Sequence, residues 1–259
     1  MQFSEAQLNL WLAGFIWPFI RIAAMVTTAP IFNSQQTPKL YRLGLVLVLT
    51  WVTLPLLPPP PPVQLFSHEA LLLLLQQLAV GLLMGFILQL VFSGLIFGGQ
   101  VIAYSMGLGF ASMMDPQNGV QVPVISQFYL ILATLLFLLL DGHLILIELL
   151  YESFYTFPVA GDGISRNTLS QVVSWGSQMF SAGLLMALPV MAALLLVNLG
   201  MGVVTRAAPQ LNIFAVGFPL TMLIGFALIW ASLPNVMENF ELLLEAGFTQ
   251  VKGLLRIAG

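Results

Sequence analysis

Apolar residues run in long blocks along this chain, and the polar positions between them come in short clusters of proline, glycine, amide and isolated charge. Six blocks stand out, at roughly Leu8 to Thr28, Leu40 to Leu57, Leu71 to Phe97, Val124 to Leu140, Val172 to Val204 and Ile213 to Leu233. Each approaches or exceeds the ~20 residues that carry a helix across a bilayer, the fourth only marginally. Strands of a β-barrel would instead alternate apolar and polar positions over about ten residues, which the run Leu71 to Leu75 does not do. The pattern predicts an all-α membrane protein.

Several blocks do not read as straight spans. Pro18, Pro55, Pro189 and Pro219 lie inside them, and an interior proline loses a hydrogen bond and bends or breaks the helix. If the last block starts at Pro219 as its first helical position, about fifteen residues remain to Leu233. That is about 22 Å at 1.5 Å per residue, short of the ~30 Å hydrocarbon core. The charges are equally uninformative about orientation. With the N-terminus outside, Lys39, Arg42 and Arg206 fall in inside loops and Arg166, Lys252 and Arg256 outside, so the positive-inside rule assigns no direction. The expectation is about six bent or broken apolar helices, arranged as hairpins and packed against other protein.

Composition narrows the chemistry. Hydrophobic residues make up 59% and charged residues 7%, with mean hydropathy +0.99, against roughly 25% charged residues in soluble domains. Cysteine is absent, which removes disulfides, thiolate metal ligands and cysteine nucleophiles. Seven Lys and Arg stand against ten Asp and Glu, leaving no basic surface for nucleic acid or for anionic lipid. The N-terminal residues MQFSEAQLNL carry no positive region, so a cleaved signal peptide is not expected. No nucleotide-binding loop appears. Asp141, His143, Glu148 and Glu152 invite a metal or catalytic reading, but one histidine with a carboxylate two residues away is a weak pair, and Glu148 and Glu152 repel on one helix face. Helix capping and a partly aqueous face are the preferred reading. No metal, cofactor or catalytic group is expected.

Particular positions then define candidate roles. Arg21 interrupts the first block, where an arginine costs at least ~2.5 to 3.5 kcal/mol unless it is paired or hydrated. It is expected to face protein or a cavity, the alternative being a side chain that snorkels to the interface. Pro58 to Pro62 read as a stiff spacer outside the bilayer. Gly81 with Gly85, and Gly94 with Gly98, form two small-residue pairs on opposite faces of one helix, each admitting a close neighbour from a sister subunit or from the chain itself. Between the third and fourth blocks, Gln100 to Pro123 is apolar where a connector would be polar. Gly107 and Gly109 loosen its backbone, while Met106, Phe110, Met113 and Met114, before Asp115, supply adaptable apolar tips suited to a compliant plug. A packed or re-entrant loop is the plainer alternative. Glu238 to Arg256 reads as an amphipathic terminal helix for a membrane surface or partner groove.

The most particular stretch is RAAPQLNIFAVGFP, Arg206 to Pro219. Arg206 suits the last turn of a helix, Pro209 forces Ala208 out of helical geometry, Asn212 can cap the next helix, and Gly217 and Pro219 interrupt it again. Chemistry alone leaves this either an ordinary loop or a specific junction.

That stretch resembles the most distinctive motif of the FliR family, a subunit of the flagellar type III export gate related to the corresponding injectisome subunit. Supporting matches are WPFIRIAAMVTTAPIF at 17 to 32, PKLYRLGL at 38 to 45, MGLGFASMMDP at 106 to 116, DGH at 141 to 143 and ALPV at 187 to 190. The five consecutive prolines after Leu57 depart from the pattern. The resemblance implies a non-enzymatic channel subunit that assembles with FliP and FliQ, alongside other export-apparatus membrane components, in a helical channel at the bacterial inner membrane and flagellar basal body, much of it at the periplasmic level. It implies a FliP-like body over 1–165 and a FliQ-like hairpin with the C-terminal helix over 166–259. Met106 to Asp115 would plug the pore until unfolded flagellar polypeptides are exported. Arg21, the four glycines, Arg206, Pro209, Gln210, Asn212, Gly217 and Pro219 would serve subunit packing, within membrane lipid and without nucleic acid. A small-solute secondary transporter also uses broken helices, but the chain shows no inverted repeat and few intramembrane charges. An intramembrane enzyme using Asp141 and His143 is the other competitor.

Overall fold

Every apolar block becomes helix, and three of the helices run well past the blocks that predict them. The computed structural model describes residues 5–33, 37–64, 67–109, 124–161, 163–208 and 213–257. Among them are α1 (Glu5–Thr28), α2 (Lys39–Thr53), a 3-10 turn at Leu54–Leu56, α3 (His68–Ser105), α4 (Val124–Leu139), α5 (Gly142–Thr156), α6 (Arg166–Ala207) and α7 (Ile213–Leu254), with no strand among the described residues. Among the described residues, five helices are individually long and apolar enough to cross a membrane, and a sixth span results if α4 and α5, bent by 64° at their junction, count as one.

Two expectations about the last block are corrected. Pro219 does not begin a helix but lies inside α7, which continues through Pro234 to Leu254. At 42 residues it is about 63 Å long, so it is not too short to span. The amphipathic stretch from Glu238 is likewise not a separate helix but the second half of α7. The physical reason is that an apolar setting offers no water to a broken backbone, so continuing the helix around a proline costs less than leaving it. Pro18 and Pro189 are carried inside α1 and α6 in the same way. The sharp break occurs where no proline stands: Asp141 takes a left-handed backbone, φ 54°, between α4 and α5 and makes no side-chain capping bond.

The chain forms two compact units. One contains residues 1–90, 140–176 and 245–259, the other 91–139 and 177–244. Each therefore takes segments from both sides of residue 165.

In the first unit, Ala13 and Trp17 of α1 pack with Ala70 of α3, covered by Ile16, Ile20 and Leu74. A Cβ on Gly81 would strike the Arg21 carbonyl and Ala24 Cβ, and one on Gly85 would strike Thr28 and the Ala29 nitrogen. These two glycines thus let α1 and α3 touch backbone to backbone. The Pro60 ring lies against Gly14 of α1, 3.7 Å from where a Cβ would stand, so the proline run touches α1 at this residue.

In the second unit the Phe92 ring meets those of Phe137 and Phe240 edge-on, at 5.7 and 5.5 Å. Gly98 faces the Gly183 carbonyl of α6, and Gly94 the backbone of Met179. Gly99 admits the backbone of Ser126 on α4, whose hydroxyl donates to the Ile96 carbonyl at 3.0 Å. The close neighbours that both glycine pairs admit are therefore the chain's own α1 and α6.

Candidate functional site

The residues singled out by sequence fall in three places. The first is Arg21, fully buried in the first unit. Its Nε donates to Gln77 Oε1 at 2.8 Å, Nη1 to the Ser153 carbonyl at 2.8 Å and the Ser153 hydroxyl at 3.0 Å, and Nη2 to the Phe157 carbonyl at 2.9 Å. The guanidinium also lies 4.2 Å from the Phe154 ring centroid, a cation–π contact. None of these partners is a carboxylate. Ser153 lies in the last turn of α5 and Phe157 is its C-cap residue, so the charge sits at the negative end of a helix dipole, where it serves the Phe157 carbonyl and adds a second donor to the Ser153 carbonyl, which also accepts from the Phe157 N–H at 3.0 Å. An arginine mid-block is tolerable here because its planar fork meets several fixed acceptors at once. Gln77, Ser153 and Phe157 were not legible as its partners; the one signal was an amide inside the apolar run of α3.

The second place is the start of the Met-rich stretch. Gly107 has φ +82°, and α3 closes with hydrogen bonds from Gly107 to the Tyr104 carbonyl and from Leu108 to the Ala103 carbonyl, both 3.0 Å. This is the Schellman end, with glycine in the left-handed position it requires. Gly107 therefore stops a helix rather than loosening a loop. Met106 is fully buried; a Cβ on Gly225 of α7 would stand 2.6 to 2.8 Å from its Cε, Cγ and Sδ. In this structure Met106 is the root of the stretch and not a free tip. Gly109 lies against the Tyr104 ring. Phe110, Met113, Met114 and Asp115 lie outside the described residues.

The third place is the 206–219 motif. Arg206 is exposed in the last turn of α6, which ends at Ala207. Pro209, Gln210 and Asn212 lie outside the described residues, and α7 begins at Ile213 with Gly217 buried and Pro219 exposed. The second and third places meet. The ring of Phe218 lies 3.3 Å from where a Gly107 Cβ would stand, so the root of the Met-rich stretch is seated on the first turns of α7, a contact that spacing a hundred residues apart did not reveal.

The acidic and histidine positions do not converge. Asp141 and Glu148 are exposed, the His143 Nδ1 is buried and unpartnered among the described residues, and these residues hold no cluster of three ligands suited to a metal.

A sequence profile of the bacterial export proteins, family 1, matches residues 12–247. The Escherichia coli K12 flagellar biosynthetic protein FliR is 38% identical over 255 residues, covering 98% of this chain and 96% of that one. The Pectobacterium carotovorum protein of the same name is 37% identical over 255 residues, and the Bacillus subtilis one 30% over 252, each covering at least 95% of both chains. The chain belongs to the FliR family. FliR proteins are thus matched across Arg21, both glycine pairs, the Met-rich stretch and the 206–219 motif together, and the chain is a flagellar export protein with several membrane-spanning helices.

Proposed function

We propose that this chain is a non-enzymatic channel subunit of the flagellar type III export gate, assembled with FliP and FliQ at the bacterial inner membrane with much of the complex at the periplasmic level. One observation carries the reading. Large apolar side chains stay exposed on α6 from Leu169 to Val204. On one helix that span is about 52 Å, while the hydrocarbon core is ~30 Å. Lipid covers at most part of such a face, and sister subunits supply the rest. The Met-rich stretch, Phe110 to Asp115 on its Met106 and Gly107 root, forms the pore plug, since thioether side chains remould around a chain of any sequence. The motif from Arg206 to Pro219 serves assembly, with Arg206, Gln210 and Asn212 meeting backbone groups left open between helices.

The test is affinity purification of the tagged chain in mild detergent. FliP and FliQ are expected in one defined complex, and Arg206→Ala or Gln210→Ala is expected to lower their recovery. Purification of the chain alone from cells making all three overturns the reading. Deleting Phe110 to Met114 is expected to leave the complex intact and raise small-solute leak across the membrane; an unchanged leak in an intact complex removes the plug.

A further inference from the structure

A cleft of about 440 Å³ opens in the first unit between the start of α1 and the chain that leaves α2. Trp11 and Trp17 of α1, Pro58 and Pro60 of the proline run, and Phe154 of α5 line it, and no charged side chain is among its described lining. Proline has no N–H to offer, so the side-chain donors here are two indoles. Trp17 is buried, and its Nε1 has no hydrogen-bond partner among the described residues. The side chains packed with it, from Ala13 to Ala70, are apolar. A buried donor left unmet is costly, and the cleft is the side from which an acceptor can come.

The cleft also lies at a particular depth. Two apolar spans, Asn9–Thr28 and Lys39–Leu56, have their ends here, with Trp11 at the start of the first and Leu54 at the close of the second, both in the lining. Trp11, Trp51 and Tyr155 are exposed, and the Tyr155 hydroxyl donates to the Leu56 carbonyl. Exposed Trp and Tyr gather at the membrane–water interface, the level at which a bilayer lipid carries its ester groups.

We infer that this cleft binds one bilayer phospholipid by its glycerol end, an ester carbonyl accepting from Trp17 Nε1 and the acyl chain lying against the tryptophan and proline rings. The inference rests on membrane insertion of the chain and not on the channel reading. A helix of a sister subunit suits the cleft less well. Its backbone carbonyls are bonded within the helix, so it brings apolar side chains and leaves the indole unmet, whereas a diacyl lipid brings acceptor and hydrocarbon together. With no charge in the lining, the headgroup is not read. The proline run that departs from the family pattern thus supplies a wall of a lipid site.

The probe is phosphatidylethanolamine with a diazirine on its acyl chain beside the ester, compared with the dialkyl ether analogue that lacks ester carbonyls. Each is added to inner-membrane vesicles from cells making the complete export apparatus, photolysed, and the label on the recovered chain is mapped by peptide mass and normalised to the chain recovered. Label is expected on residues 10–18 and 54–60, at least about fivefold stronger for the ester than for the ether, the factor carried by one net hydrogen bond. Trp17→Phe, which keeps a ring and removes the N–H, is expected to make the two lipids equal. The comparison of lipids on the parent chain stands even where that variant folds poorly. Absence of label from both segments means that a sister subunit or no molecule fills the cleft, and overturns the inference. Equal labelling of the parent by ester and ether, or a preference that survives Trp17→Phe, overturns it as well.

Discussion

The Arg21 guanidinium donates to the backbone carbonyl of Phe157 at 2.9 Å, closing the end of α5 from the middle of α1. With Gln77 Oε1 also held, removal of the side chain takes the donor from both of these acceptors, while the Ser153 carbonyl keeps its bond from the Phe157 N–H. Arg21→Leu is expected to destabilise the chain by about 1–3 kcal/mol for each acceptor left unpaired. Arg21→Lys should recover little, because one ammonium cannot serve acceptors spread over a planar fork. Thermal unfolding in detergent, followed by tryptophan fluorescence, reads both; a lysine variant as stable as the parent would discard this account.

The glycines divide by surroundings. Gly85→Ala places a methyl onto Thr28 and the backbone of Ala29, and forcing α1 away is expected to cost roughly 1–3 kcal/mol. Gly200 and Gly202 have nothing within 4 Å of an added Cβ. Alanine at either is expected to leave the isolated chain unchanged or more stable by up to about 1 kcal/mol, from helix propensity alone. The same unfolding assay separates them.

At Gly107 the constraint is conformational. Its φ of +82° disfavours any side chain, so Gly107→Ala is expected to lower stability by about 1 kcal/mol, while Gly107→Asn, which tolerates left-handed geometry, should lose less. Equal losses for the two variants would point to the nearby Phe218 ring as the cause.

Asp141 and His143 provide the check on catalysis. Since the Asp141 side chain caps nothing, the double variant Asp141→Asn, His143→Gln is expected to support motility and filament export at parental levels. Loss of export with the complex still assembled would reopen a chemical role.

The helical class was readable because runs of leucine without alternation admit few other structures in a membrane. Element lengths were less so. Proline reads as a breaker when water is available to the freed carbonyl, but Pro189, Pro219 and Pro234 sit inside continuous helices. The break that does occur falls at Asp141–Gly142, a turn dipeptide whose aspartate takes the left-handed backbone geometry that turns the chain. Of the candidate site, Arg21 announced itself as a charge that needed partners, yet two of its four acceptors are backbone carbonyls, which carry no sequence signature. The small-residue pairs announced close neighbours without saying whose, and Met106 looked like its fellow methionines until Gly225 was found beneath it.

Arg256 also holds a left-handed backbone, φ 56°, and its guanidinium lies 5.7 Å from the Phe157 ring centroid. The residue whose carbonyl Arg21 caps is thus also covered by a residue made 235 positions later than Arg21, 256 less 21. The first unit takes in residues 245–259, whereas every segment of the second ends by residue 244. On the ribosome, the second unit's helices are all made before the first unit has its closing piece. Contacts of such sequence separation form late, so the Phe157 end of α5, with Arg21 already upon it, waits in the growing chain for the element that covers it.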